Sequence, residues 1–214
     1  MTTQFRNRTE AGRLLANWLK VYANRTDTLV LGLPRGGVVV AHEVAHTLQL
    51  PLDVCPVQKL SVPGQEELAM GAIAAGNVRV LNGDVLNELH ISQQTLEKVT
   101  TQARQELQRR ERIYRGDRPP LEVQNQTIIL VNDGLTTGAT MRAAIACLKS
   151  QQPQRIIVAI PVAPPYVYRA LRAEVDQVIC LAMPDPFYAL RFWYESFAPV
   201  KDEEVHEFSC MCHC

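Results

Sequence analysis

Apolar residues along the chain fall into two patterns, short continuous runs and longer stretches with helical spacing. The short runs are rich in β-branched residues and predict buried strands at residues 28–31, 52–58, 68–74, 127–131, 155–162 and 178–182. The longer stretches predict helices at residues 9–24, 36–48, 84–116, 139–149 and 164–173. Strands that alternate with helices in this way predict an α/β fold with a doubly wound, mainly parallel sheet.

In two of the predicted helices, the distribution of apolar and charged residues indicates which face is buried and which is solvated. In residues 9–24, Thr9 is the expected N-cap, and one face carries the apolar residues Leu14, Leu15, Trp18, Leu19 and Tyr22. In residues 84–116, Ser92 is a candidate N-cap and the charged segment that follows favours a solvated helix. The alternative for that segment is a basic face made by Arg104, Arg109, Arg110 and Arg112, although Glu106 and Glu111 lie between them.

The chain of 214 residues is predicted to form a single domain, residues 1–214. Within it we expect a helical insertion at residues 84–118, a small C-terminal hood at 184–208 and a cysteine-rich tail at 209–214. The hood contains a concentration of aromatic residues, which are usually core but could also stack on a flat ligand. Those residues are Phe187, Tyr188, Phe192, Trp193, Tyr194 and Phe197.

The charge balance excludes some partners. There are 22 Lys and Arg residues and 22 Asp and Glu residues, so the formal net charge is zero. A neutral chain argues against nucleic acid or an anionic membrane as the main partner. The polar start of the chain lacks the apolar core of a signal peptide, and no apolar run approaches the length of a membrane span. We therefore expect a cytoplasmic protein.

The six cysteines divide into two groups. Cys55, Cys147 and Cys180 stand singly in apolar contexts, which is typical of small buried residues in a reducing compartment. Cys210, Cys212 and Cys214 form a Cys-x-Cys-x-Cys tail with His213 inside it. Such a tail could bind a soft metal, but the spacing differs from that of structural zinc sites, so a frayed terminus is the favoured interpretation.

The most informative stretch is residues 127–149, TIILVNDGLTTGATMRAAIACLK, in which a strand, a Gly/Thr loop and a helix follow one another. The amide groups of such a loop and of the first helical turn converge on one point, where the helix dipole adds positive potential. Gly138 allows close backbone approach, and the three threonines of the loop add hydroxyl donors. This pattern predicts a phosphate site, the alternative being an ordinary strand–loop–helix connection.

A second strand–loop–helix unit lies earlier in the chain. Arg35, Gly36 and Gly37 follow the strand at residues 28–31 and precede a helix. An arginine beside loop amides suits a second phosphate group, whereas Arg-Gly-Gly alone is more often a simple turn. Residues 59–67 are polar with Pro and Gly and predict a mobile loop, with Lys59 at its root either directed at a phosphate or solvated.

The segment VNDGLTTGAT, residues 131–140, resembles the phosphoribosyl-pyrophosphate signature of the type I phosphoribosyltransferases. In that family two adjacent acidic residues hold the ribose hydroxyls and the Thr/Gly loop holds the 5-phosphate. Asp133 matches the second acid, whereas Asn132 occupies the position of the first. The Arg35 loop is similar in position to the family's pyrophosphate loop, which often contains a non-proline cis peptide. The segments GLPRGGVVVAHEVA, KLSVPGQEELAMGAI and PVAPP…DPFYALRFWYE extend the resemblance to a subgroup of unknown acceptor.

The resemblance implies a set of functional residues. The implied catalytic residues are Asn132, Asp133 and Lys59, and the implied substrate-binding residues are Arg35, Gly36, Gly37, Thr136, Thr137, Gly138, Ala139 and Thr140. It also implies transfer of ribose 5-phosphate from phosphoribosyl pyrophosphate to a base-like nitrogen, release of pyrophosphate, and a homodimer. Mg²⁺ would be bound largely through the substrate, with Asp133 as a candidate ligand.

Asn132 leaves a second function open. A neutral amide accepts hydrogen bonds from a ribose hydroxyl but contributes no negative charge, and losing one such electrostatic contact costs about 2–4 kcal/mol in a transition state. The alternative to an active transferase is therefore a non-catalytic regulatory protein of the same fold that binds phosphoribosyl pyrophosphate or a nucleotide.

Overall fold

The computed structural model describes residues 4–75, 78–116, 118–119 and 121–210, and it describes Glu66, Glu67 and Cys210 by their backbone alone. Its helices are α1 (Arg8–Trp18), α2 (Gly36–Leu48), α3 (Gly83–Glu88), α4 (Gln93–Arg115), α5 (Ala139–Lys149), α6 (Pro165–Arg172) and α7 (Asp202–Cys210). Its strands are β1 (Thr28–Gly32), β2 (Leu52–Val54), β3 (Val57–Val62), β4 (Gln65–Ala74), β5 (Val78–Leu81), β6 (Thr127–Val131), β7 (Arg155–Val162) and β8 (Gln177–Ala182). Single 3₁₀ turns occupy Lys20–Tyr22 and Leu190–Trp193.

A five-stranded parallel sheet forms the centre of the molecule, in the order β2-β1-β6-β7-β8. From β1 the chain continues outward to β2, whereas from β6 it continues the other way through β7 to β8. The direction of winding therefore reverses between β1 and β6, which makes a crevice at the carboxyl ends of these two strands. The predicted α/β class with a doubly wound, mainly parallel sheet is confirmed.

Both faces of this sheet are buried, as the continuous apolar runs predicted. Val30, Ile129 and Ile157 point towards α1 and α2 on one face. Their neighbours Leu130 and Val158 point to the other face, where α5 and part of a second sheet cover them. The period-two alternation of a strand thus divides one apolar run between two cores.

The second sheet is antiparallel, has the order β3-β4-β5, and corrects two predictions. Residues 52–58, expected to form one strand, contain two strands in different sheets, separated at Cys55 and Pro56. Proline lacks the N–H that a continuous strand would need. Residues 59–67, expected to be a loop, belong to the β3–β4 hairpin, whose turn includes Gly64 with a φ of +79°.

The start of α1 also differs from prediction. Asn7 is its N-cap, because Oδ1 of Asn7 accepts a hydrogen bond from the Glu10 amide at 2.9 Å, whereas Thr9 lies within the helix. The helix ends at Trp18 rather than at residue 24. Leu15 is buried as expected, but Trp18 is 70% exposed and Leu14 38% exposed, so the apolar face is narrower than predicted.

Helix α4 is partly buried rather than solvated on all sides. Ser92 caps it as predicted, accepting a hydrogen bond from the Thr95 amide at 3.1 Å. Its apolar positions, including Leu107, pack on the antiparallel sheet. At its end Arg115 is buried and pairs with Asp53 of β2 at 2.9 Å. The prediction of a solvated helix fails for one face of α4, which is part of the core.

The C-terminal aromatic residues are divided between core and surface. Tyr194 is buried, but Tyr188 is 80% exposed and Phe192 57% exposed, so the core interpretation fails for these two. Cys55 and Cys147 are buried and Cys180 is half-buried, and all three are free thiols as expected. Residues 211–214 and the side chain of Cys210 lie outside the described residues, and the two interpretations of the tail remain predictions. Among the helices described, none combines the length and apolar character needed to cross a bilayer.

Candidate active site

Two loops emerge side by side at the reversal point of the parallel sheet. Gly32 at the end of β1 pairs in register with Val131 at the end of β6. The amide of Leu33 then donates to the Val131 carbonyl at 2.9 Å, which carries the pairing one residue beyond the strand. Residues 33–37 and 132–140, the two predicted phosphate loops, therefore begin at the same place.

The two loops touch through their glycines. A Cβ atom on Gly37 would lie 2.7 Å from Oδ1 of Asn132 and 2.8 Å from its Cα, which is closer than real Cβ atoms approach. A Cβ on Gly36 would overlap the Oδ2 atom of Asp133. Glycine is needed here because of contact rather than turn geometry. The Pro34–Arg35 peptide in this loop is cis. The two loops form the walls of one cleft.

The Gly/Thr loop leads into α5 through two glycines with positive φ angles. Gly134 has a φ of +144°, and Gly138, the N-cap of α5, has a left-handed φ of +74°. Oγ1 of Thr137 accepts a hydrogen bond from the Ala139 amide at 3.3 Å across the start of the helix. Thr136, Thr137 and Thr140 are exposed at this end of α5. Three hydroxyl groups thus lie at a helix N-terminus, where the helix dipole favours an anion, and the binding of a phosphate here stays a prediction.

Asp133 is a buried residue. Its Oδ2 atom accepts a hydrogen bond from Nε of Arg8 at 2.8 Å, and only 12% of its side chain is exposed. Arg8 in turn lies 3.8 Å above the ring of Phe197 and donates to the Ala198 carbonyl at 2.8 Å. The hydroxyl of Tyr194 donates to the backbone carbonyl of Asp133 at 2.6 Å. The acid is thus held by the N-terminal helix and the C-terminal segment together.

Two effects of this environment act in opposite directions on the pKa of the Asp133 carboxyl group. Burial raises its pKa above the ordinary value, and the guanidinium of Arg8 acts in the opposite direction. Asn132 is only half-buried, and its Nδ2 atom donates to the Gly134 carbonyl at 3.1 Å. Of the two residues expected to contact the ribose, Asn132 is therefore the more accessible, and a ribose contact by Asp133 stays a prediction.

A polar cavity of about 230 Å³ extends the cleft on the side of β3. It is lined by Pro34 of the first loop, Thr140 of the second, and Lys59 and Ser61 of β3. Lys59 thus projects from a strand rather than from a loop root, but it lies beside both phosphate loops. Arg35 points towards α7, where its Nη1 atom lies 3.8 Å from Oδ1 of Asp202.

Another cavity, of about 310 Å³, adjoins Thr136 and Thr137 on the side of β7 and β8. Its walls include Arg169 of α6 and Asp185 and Tyr188 of the C-terminal segment. Arg169, Asp185 and the exposed ring of Tyr188 give this cavity a hydrogen-bond donor, an acceptor and a flat apolar surface.

The donors at the cleft do not fit a magnesium ion resident on the protein. Mg²⁺ prefers several oxygen ligands in octahedral geometry. The residues near the ribose position supply one neutral amide, Asn132, and one carboxylate, Asp133, already paired with Arg8. Within the described part of the chain, no group of three or more His, Cys, Asp or Glu residues is placed to hold a metal ion.

A doubly wound parallel sheet with two glycine-containing loops at its reversal point is the architecture of the type I phosphoribosyltransferase class. The phosphoribosyl transferase domain family matches residues 3–188, and the chain belongs to this family. It is also 40% identical over 209 residues to two proteins of Mycobacterium tuberculosis, strains CDC 1551 and H37Rv, each named "Putative phosphoribosyl transferase". The match covers 98% of this chain but 47% of those proteins, so the chain spans about half their length.

Solved structures agree on the fold. The protein TT1426 from Thermus thermophilus is 39% identical, with a TM-score of 0.88 over 97% of this chain and 98% of that one. A hypoxanthine phosphoribosyltransferase from Staphylococcus aureus has a TM-score of 0.50 and 12% identity, covering 86% of this chain and 78% of that one. At that identity the likeness concerns the fold alone.

Sequence reasoning missed the residues that reach the cleft from distant elements. Arg8 directly precedes the helix predicted from Thr9, Asp202 lies near the C-terminus, and neither was assigned a role. No local pattern distinguishes either from a surface charge. Arg110 was weighed as part of a basic face, but nothing in its spacing indicated the cavity beside Lys59.

Proposed function

We propose that this domain transfers the ribose 5-phosphate group of phosphoribosyl pyrophosphate to a nitrogen of a base-like acceptor and releases pyrophosphate. The observation that carries the proposal is the contact of Gly36 and Gly37 with Asn132 and Asp133, which joins two anion loops in one cleft. A substrate with a phosphate at one end and a pyrophosphate at the other matches two such loops. The family membership of the chain supports the same reaction.

In this proposal the 5-phosphate occupies the cup formed by Thr136, Thr137 and Thr140, where hydroxyls and backbone amides donate to its oxygens. Asn132 accepts a hydrogen bond from a ribose hydroxyl. The bond from C1 to the pyrophosphate oxygen breaks, the acceptor nitrogen bonds to C1, and that nitrogen loses its proton to water. The protein contributes by positioning and by placing cations near the departing pyrophosphate, rather than through a nucleophile of its own.

Lys59 supplies a cation for the leaving group, and the Arg35 loop adds backbone amide donors. Lys59 and Pro34 of that loop line the 230 Å³ cavity, which is separate from the cavity near Tyr188 where the acceptor would bind. Mg²⁺ would enter as the counter-ion of the pyrophosphate group in the substrate, because the protein residues near the ribose do not complete a coordination shell. The acceptor itself is not specified by these contacts, and its class is a nitrogen heterocycle.

A second function is favoured by one observation, the charge at the ribose position. Asn132 is neutral and the charge of Asp133 is compensated by Arg8 at 2.8 Å. Little net negative charge is left to stabilise positive charge developing at C1. A domain of this kind would bind phosphoribosyl pyrophosphate or a nucleotide as a regulator without turning it over.

One experiment separates the two functions. Binding of phosphoribosyl pyrophosphate is measured by calorimetry with Mg²⁺, and pyrophosphate release is followed across a panel of nucleobases and related heterocycles. Acceptor-dependent release supports the transferase. Binding without release, together with release by the Asn132→Asp variant, supports the regulator.

Loop variants test whether the proposed cup is the binding site. Thr140→Val should weaken binding of ribose 5-phosphate, whereas Thr101→Val, which alters an exposed threonine of α4, should leave it unchanged. If the unaltered protein binds neither ligand, both functions are wrong.

A further inference from the structure

Arg110 of the inserted helix α4 lines the 230 Å³ cavity beside the two phosphate loops. The cavity is bounded by Pro34 in the first loop, Thr140 in the second, and Lys59 of β3. Arg110 is the second charged residue of the lining. The cavity therefore draws a charged residue from an element that belongs to neither loop.

The contacts of Arg110 leave part of its guanidinium available. Nε donates to Oε1 of Glu106 at 2.7 Å and Nη1 donates to Oε1 of Gln58 at 3.3 Å. In the described part of the chain no partner is found for Nη2. The side chain is 39% exposed, so the guanidinium is oriented by two contacts without being sealed off. Such a group can present paired N–H donors to a phosphate.

The position of Arg110 is stable because α4 is anchored on both sides of it. Leu107 is buried in the core beneath the antiparallel sheet, and Tyr114 is buried against α7. The ion pair of Arg115 with Asp53 fixes the end of the helix to β2. Arg110 lies between these anchors and faces the cavity by the geometry of the helix rather than through a flexible loop.

The charges around the cavity favour a polyanion. Lys59 and Arg110 are its two charged lining residues, and among the described residues that line it there is no carboxylate. Glu106 lies outside the lining and engages Nε. Gln58 and the Thr140 hydroxyl add neutral polar groups. Two neighbouring cations attract a pyrophosphate group, which carries several negative charges, more strongly than they attract a singly charged ligand.

We infer that Arg110 is a substrate-binding residue that holds the pyrophosphate group of phosphoribosyl pyrophosphate, opposite Lys59. This inference rests on the proposed function and deepens it, because it assigns part of the leaving-group site to the helical insertion. The 5-phosphate cup at Thr136–Thr140 is a separate region of the cleft, so Arg110 should discriminate between ligands that contain pyrophosphate and ligands that do not.

The test compares three ligands and three variants by calorimetry in the presence of Mg²⁺. The ligands are phosphoribosyl pyrophosphate, inorganic pyrophosphate and ribose 5-phosphate. The variants are Arg110→Gln, Arg110→Lys and the matched control Arg112→Gln, which removes the same charge from an exposed position two residues further along α4. Thermal unfolding of each variant establishes that it is folded.

Arg110→Gln should weaken the binding of phosphoribosyl pyrophosphate and of pyrophosphate by about tenfold, which is the lower end of the range for a hydrogen bond to a charged group. It should leave the binding of ribose 5-phosphate unchanged. Arg110→Lys should lose less because it keeps the charge. Equal affinities for Arg110→Gln and Arg112→Gln would overturn the inference, and so would an equal loss for all three ligands. These results differ from failure of the proposed function, in which the unaltered protein itself binds none of the ligands.

Discussion

Nε of Arg8 lies 2.8 Å from Oδ2 of Asp133, although the two residues are 125 positions apart in the sequence. The pair connects the first turn of α1 to the residue that follows Asn132 in the cleft. Both side chains are nearly buried, with 11% of Arg8 and 12% of Asp133 exposed. The acid of the expected ribose site is therefore also a structural link between the ends of the domain.

We predict that Arg8→Ala lowers the free energy of unfolding by about 3 kcal/mol, because it leaves a buried carboxylate without its cation. The double variant Arg8→Ala/Asp133→Asn should lose less free energy of unfolding than the two single variants lose together, since it has no uncompensated buried charge. Urea denaturation of the three variants measures these differences.

Arg6→Ala is the matched control for this prediction. Arg6 pairs with Glu10 at 2.8 Å, but its side chain is 75% exposed. An exposed pair contributes little, so this variant should unfold within about 0.5 kcal/mol of the unaltered protein. Equal destabilisation by Arg6→Ala and Arg8→Ala would show that the Asp133 pair does not act as a buried one.

Gly37→Ala should disturb the cleft. The new methyl group would meet the backbone of Asn132 at 2.8 Å and the carbonyl of Val131 at 3.0 Å, and neither can move as a flexible side chain would. We expect weaker binding of phosphoribosyl pyrophosphate, by about tenfold or more, and a cost in stability of about 1–3 kcal/mol. Calorimetry and urea denaturation measure the two effects.

Gly83→Ala provides the comparison for this substitution. Gly83 begins α3, and a Cβ there would have no heavy atom within 4 Å. Alanine should be neutral or slightly stabilising at that position and should leave binding unchanged. The contact argument fails if both glycine variants behave alike.

We predict that Asp202→Ala destabilises the protein, because Asp202 of α7 accepts a hydrogen bond from a buried hydroxyl group. Tyr114 is 1% exposed and donates to Oδ1 of Asp202 at 2.8 Å, and burial together with this carboxylate raises its pKa to about 12. Removing the acceptor leaves the hydroxyl unpaired, at a cost of about 1–3 kcal/mol. Urea denaturation of Asp202→Ala, Tyr114→Phe and the double variant measures the coupling.

The double variant should be less destabilised than the sum of the two single variants, because the phenylalanine has no hydroxyl left to satisfy. Glu203→Ala removes a neighbouring exposed acid from the same helical turn and should cost at most about 0.5 kcal/mol. Strict additivity of the Asp202 and Tyr114 substitutions would contradict the assigned hydrogen bond.

The internal cysteines should be chemically silent in the folded protein. Burial raises the pKa of Cys55 and of Cys147 to about 12 and that of Cys180 to about 11. Because each raised pKa lowers the thiolate fraction, at pH 8 only about one Cys55 thiol in ten thousand would be ionised. Titration with an aromatic disulfide reagent, before and after unfolding in urea, measures this.

The clearest sample for that titration is a variant in which Cys210, Cys212 and Cys214 are replaced by serine. We expect no rapidly reacting thiol in the folded variant and three after unfolding, with Cys180 the first to react as the pH rises. Rapid labelling of Cys55 or Cys147 at neutral pH would contradict their burial.

Local sequence patterns predicted the elements whose secondary structure depends on the residues of one short segment. The strand at 127–131 and the helix at 139–149 have the observed bounds, because an apolar β-branched run and a helix-forming run are distinct over their whole lengths. The same patterns failed at residues 52–58 and 59–67. There, one proline divides a run between two sheets, and polar residues on the exposed face of a hairpin resembled a loop.

For the candidate site, the sequence by itself determined the two loops. Glycines, threonines and an arginine at the ends of buried strands predict anion sites locally, and parallel strands bring their carboxyl ends to one edge. Only the tertiary structure decided which distant charges reach them. Arg8 pairs with Asp133 because α1 packs on one face of the sheet, and Arg110 reaches the cavity beside Lys59 because α4 packs on the antiparallel sheet. Such contacts depend on how the whole chain folds, and the sequence of a single segment does not indicate them.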